Sequence, residues 1–92
     1  MTSTHTGKDR NGHIVRDDDY VRLLAIRPSI IKRLAGSELA DVSSMLGQTV
    51  KVFDIYESGQ IWVSMEWKRP DGLTEMHAIA VDAEAIEFVK GA

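Results

Sequence analysis

The 92-residue chain has no cysteine. That absence excludes disulfide staples, thiolate nucleophiles, Cys-ligated zinc and iron–sulfur clusters, so the fold must rest on packing. Apolar runs are short, none near the ~20 residues of a membrane helix. The stretch from Met1 to Arg16 also lacks the apolar run of a signal peptide, and the expected address is the cytoplasm. Glycines occur singly, with no Gly-x-Gly-x-x-Gly or Walker-type run, so a nucleotide cofactor is not expected. Histidines are His5, His13 and His77. His77 falls on a predicted strand within reach of Ser64 or Glu75, but no strained Gly-x-Ser-x-Gly turn accompanies it, and a surface or structural role is expected. Asp17, Asp18 and Asp19 adjoin without the alternating ligands, turn glycine and distal acid of a calcium loop, so no metal is expected there. The chain therefore reads as a non-enzyme without cofactor or metal.

What is present is an ordinary globular composition, 43% hydrophobic and 27% charged, sized for one domain. The net charge of −3 is unevenly spread. Residues 20–35 hold Arg22, Arg27, Lys32 and Arg33 and no acid, whereas residues 36–92 hold ten acids against four bases. A basic protein segment is the favoured partner on this balance. Nucleic acid, contacted through Arg22, Arg27, Lys32 and Arg33, is the alternative, weakened because four cations make a small patch for a phosphate-binding domain.

Residues 1–19 are polar apart from Ile14 and Val15, and a flexible N-terminal tail is expected, because so little apolar surface does not offset the entropy of ordering. Asn11-Gly12 would suit a hairpin turn between Lys8–Arg10 and His13–Val15, but the first arm has nothing apolar to pack. Tyr20–Ile26 reads as the first strand, stopped by Arg27-Pro28. The period then changes to about 3.6 through Gly47, with two short helices expected. Gly36 would end the first and Ser37 would cap the second, whose Leu39, Val42 and Leu46 share a face. From residue 48 the period returns to two. Strands are expected at Thr49–Tyr56, Ile61–Lys68 and Leu73–Val81, then a helical turn at Asp82–Ala85 and a fifth strand at Ile86–Val89. In Thr49–Tyr56 the apolar phase slips, Val50 and Val52 against Phe53 and Ile55. A bulge near Val52 and Phe53, or burial on both faces, would reconcile them.

The wording Val21-Arg-Leu-Leu-Ala-Ile26, Ser44-Met-Leu-Gly47, Val52-Phe-Asp-Ile55, Gly59-Gln-Ile-Trp-Val63 and His77-Ala-Ile-Ala-Val81 resembles, in that order, small uncharacterised bacterial SH3-like proteins. The resemblance covers residues 20–90 and rests on turn glycines and core apolars. It implies a mainly β fold, a five-stranded SH3-like barrel with a short helical insertion between strands 1 and 2, and by analogy a binding role.

The most suggestive residue is Trp62, which alternation turns away from the face holding Ile61, Val63, Met65 and Trp67. With Tyr56, Glu66 and Glu75 it would form an aromatic and acidic strip suited to a basic or proline-containing segment. The expected function is thus a protein-protein interaction module or small accessory subunit. Homodimerisation through an exposed strand edge is compatible with it.

Overall fold

A computed structural model describes residues 5–92. Two-residue strands β1 (Gly7–Lys8) and β2 (Ile14–Val15) pair as a hairpin, followed by β3 (Tyr20–Leu23), the helices α1 (Pro28–Ile31) and α2 (Gly36–Ser43), then β4 (Thr49–Ile55), β5 (Ile61–Lys68), β6 (Thr74–Val81), a 3-10 turn at Ala83–Ala85 and β7 (Ile86–Lys90). The last five strands in this series, β3 to β7, make one antiparallel sheet in the order β6-β5-β4-β3-β7. No helix among the described residues is long and apolar enough to cross a membrane.

The predicted strands are all present, but the sheet is not closed into a barrel. The segment between β3 and β4 places its two helices across a groove from β6, and β6 pairs with β5 alone. Pro28 opens α1, where a missing N–H is no loss. Gly36 adopts φ +60°, the left-handed turn expected after α1, yet α2 begins at that glycine. Its N-cap position is Ala35, with no side-chain cap, so Ser37 does not cap the helix as expected.

One side of the curved sheet buries Val21, Leu23, Val50, Val52, Ile55, Ile61, Val63, Ile79, Val81 and Ile86, and α2 and the turn after it add Val42 and Met45. The phase slip in β4 resolves as a bulge: Val52 pairs with Val63 and Asp54 with Trp62, leaving Phe53 unpaired and 51% exposed. The extra residue lets Val50, Val52 and Ile55 all reach the core.

The N-terminal segment departs from the expected tail. Residues 1–4 lie outside the described residues, but from residue 7 the chain forms the hairpin through Asn11-Gly12, and Val15 is fully buried in the core. The first arm docks through polar rather than apolar atoms, which is why counting apolar residues missed it. The Asp9 carboxylate accepts from the backbone N–H of Asn11 and His13 at 2.8 and 2.9 Å and, across the chain, from that of Phe88 at 2.8 Å. The His13 ring stacks on Phe88 with centroids 4.0 Å apart. Two of the three adjacent aspartates shape the turn into β3: Asp18 takes φ +68° and pairs with Lys51, while Asp19 accepts from the Arg16 N–H at 2.8 Å.

Candidate functional site

An open sheet has two edges, and here they differ. Just past β3 the Leu24 N–H donates to Ala85 O, so alternation turns the N–H and C=O groups of Ile86 and Phe88 outward from β7. Both residues are met by the hairpin: Arg10 N–H donates to Ile86 O at 3.0 Å, and Phe88 N–H to Asp9. The β7 edge is capped.

At the other margin, Arg69 N–H donates to Leu73 O at 2.8 Å and sets the phase of the β5–β6 ladder. Bonded pairs alternate, so Met65/His77, Val63/Ile79 and Ile61/Val81 exchange bonds, while Met76, Ala78 and Ala80 point their N–H and C=O groups away from β5. Among the described residues no group meets them. An uncapped edge of this kind is a template for pairing with another strand.

Along that edge runs a groove of about 530 Å³, within the ~300–1,000 Å³ range of small-ligand sites. Its lining includes His77 and Ile79 from one face of β6 and Ala78 and Ala80 from the other. Both faces can line one groove only if it follows the strand's edge. The opposite wall is α1, α2 and the link between them, with Ile30, Arg33, Leu34, Glu38 and Val42. One end is closed by Arg27, whose guanidinium donates to Asp82 at 2.6 Å and to Gln60 at 2.9 Å, while the Gln60 amide donates to Val81 O. The hydrogen bond to Asp82 favours the charged guanidinium, and the same bond holds the Asp82 carboxyl below its ordinary range. Trp62 also lines the groove, and its indole N–H is buried with no acceptor among the described residues. A buried donor left unpaired costs about 1–3 kcal/mol, which a ligand acceptor would recover.

The helix wall is held by a clasp. Arg69, in the β5–β6 turn, binds Asp41 of α2 and also Glu75 of β6, the latter at 2.9 Å. The two bonds, to Glu75 first and then Asp41, favour its charged form. His77 Nε2 lies 3.5 Å from Asp41 and 3.8 Å from Glu75, and the ring packs edge-on to Trp67 at 5.3 Å. Asp41, Glu75 and His77 have metal-ligand chemistry within 4.8 Å of one another, but Arg69 already supplies the positive charge between the carboxylates. The cluster is a strut that fixes α2 against β6. Replacing Arg69 by leucine is expected to speed amide exchange across residues 41–44 while β4 and β5 keep their protection; unchanged exchange in α2 would show that the strut does not hold the wall.

The aromatic and acidic strip expected from the sequence is only partly assembled. Tyr56 and Trp62 do meet, with ring centroids 5.7 Å apart, Tyr56 being exposed. Glu66 and Glu75 do not face each other: Glu66 pairs with Met76 and Glu75 with Trp67, so they lie on opposite faces of the sheet. Ser64 likewise pairs with Ala78, on the face away from His77. The basic residues are divided too. Arg22 lies in β3 opposite Thr49 and Glu87, Arg27 is occupied by Asp82, and Lys32 and Arg33 are exposed just after α1 with no carboxylate within 4 Å among the described residues. The groove residues missed by sequence reasoning include Ile30, Leu34, Gln60, Ala78 and Ala80. The 3.6-residue period after Arg27-Pro28 covers the first two; nothing local signals which strand edge stays unpaired. No family profile matches the chain, and no curated protein and no solved structure matches it either.

Proposed function

We propose that the chain is a non-enzymatic protein-interaction module that seats a segment of another protein in the groove between β6 and the helices. The observation that carries this reading is the groove itself, open along an uncapped strand edge and walled by apolar Ile30, Leu34 and Val42. The buried, acceptor-less indole N–H of Trp62 adds a recognition donor in the same place. Trp62 and Tyr56 keep the role expected of them as aromatic contacts; Glu66 and Glu75 leave the site. The order of elements supports the SH3-like kinship as part of the proposal, in an open form whose gap is the groove. A cytoplasmic address belongs to the same reading.

Selection from a displayed library of random peptides about twelve residues long tests it. Enriched peptides are expected to shift the amides of Ala78, Ile79 and Ala80 and the Trp62 indole, and to bind Leu34→Glu about tenfold or more weakly, because a carboxylate then stands in the apolar wall. Failure to enrich any peptide overturns the proposal. So does salt-sensitive binding of oligonucleotides that shifts Arg22, Lys32 and Arg33 while no peptide binds.

A further inference from the structure

Resting on the groove as the docking site, we infer that the partner enters as an extended strand that adds to β6 and carries a carboxylate side chain for Arg33. The backbone of β6 dictates the first half. Met76, Ala78 and Ala80 present outward N–H and C=O groups at every second residue, a spacing of about 7 Å that matches an added strand's own period. A side chain offers donors and acceptors at one point, whereas a strand supplies them in register along the edge. The residues at the centre of the edge are alanines, so a second backbone can approach to the ~4.8 Å of a paired strand without meeting a bulky side chain. The slot is also bounded on its far side by Ile30, Leu34 and Val42, which gives one row of the incoming side chains an apolar surface. The other row falls on the face of Trp62, where an acceptor would satisfy the indole N–H.

Charge dictates the second half. Of the two arginines that line the groove, Arg27 is neutralised by Asp82, but Arg33 has no carboxylate partner and Lys32 adjoins it in the chain. Glu38 is the one acidic residue of the lining. Counted with the adjoining Lys32, the two uncommitted cations outweigh Glu38 by one positive charge, and an acidic residue in the partner complements it, the reverse of the basic segment expected from the chain's overall charge.

Three measurements on the full chain test this with the peptides enriched from the random library. Ala78→Pro removes only an outward N–H and leaves the bonds to β5 intact, as proline on an edge strand does. Its β5 amide signals are expected to persist while peptide affinity falls about 100-fold or more. Because proline strains even an edge, the enriched peptide is also made with single N-methyl groups along its length. Loss of binding at alternate positions, and retention at those between, is a period-two pattern that strand addition requires. Reselection against Arg33→Glu is expected to exchange the acidic residue of the peptide for a basic one. Peptides that lose affinity on Leu34→Glu but tolerate both Ala78→Pro and every N-methyl group would overturn strand addition and leave the groove as the docking site. Enriched peptides without an acid, or indifferent to Arg33→Glu, would overturn the carboxylate. Absence of any enriched peptide would remove the docking site and this inference together.

Discussion

Replacing Asp9 by alanine is expected to release the N-terminal hairpin from β7 and to lower stability by about 3 kcal/mol, since three backbone donors lose a charged acceptor at once. Asp9 is only 4% exposed, so water does not readily replace the carboxylate. Urea denaturation read by tryptophan fluorescence measures the loss, and amide exchange at Asn11, His13 and Phe88 locates it. Unchanged exchange at Phe88 would show that the hairpin is held by Val15 and the His13–Phe88 stack instead. The same carboxylate makes the docking acid-sensitive. Burial pushes the Asp9 carboxyl up, but the N–H groups of Phe88, His13 and Asn11 and the charge of His13 outweigh it and hold the value below the ordinary carboxylate range. A carboxyl with a lowered folded value contributes fully above its unfolded pKa of about 3.9, and that contribution disappears as pH falls through the lower folded value. Wild-type stability should therefore fall more steeply on acidification below about pH 4 than that of Asp9→Ala, and the two curves should approach each other.

The second large effect is expected in the core. Leu23 is fully buried, and its backbone bonds, Leu23 N–H to Gln48 O at 3.0 Å and Gly47 N–H to Leu23 O at 2.7 Å, do not depend on its side chain. Leu23→Ala thus removes packing alone and should cost about 3 kcal/mol. For a domain of this size that is a fall of about 12–24 °C in Tm. Leu24→Ala is the control: its side chain is partly exposed, and the change should stay below about 1 kcal/mol. Calorimetry on the pair separates them, and equal losses would contradict the placement of the core.

The strands were legible because alternation is local. The bulge was legible for the same reason: Val50, Val52 and Ile55 cannot share a face unless one residue is added between them, and Phe53 is that residue. The hairpin was not, because Asp9 earns its place through a hydrogen bond from Phe88, 79 residues away, and a carboxylate in a polar stretch looks like any solvated charge. The site failed on parity. Paired residues in β5 and β6 carry numbers of equal parity, as in Lys68 with Thr74, so Glu66 and Glu75 fall on opposite faces; a turn one residue longer or shorter would have joined them. Turn residues Arg69 to Gly72 announced the reversal without stating its register. The groove lies deeper still, since it depends on where α1 and α2 stand relative to β6 and on which of two edges the N-terminal hairpin covers.

That coverage also sets a valence. With β7 sealed by Asp9 and Arg10, the sheet offers one pairing surface, so strand addition ends after a single event: one peptide, or one second copy joined about a twofold axis. Growth into a fibre needs two reactive ends per molecule. The hairpin removes one of them, and the contacts that dock it, polar at Asp9 and Arg10 and apolar at Val15, stand between a monovalent receptor and a polymerising one.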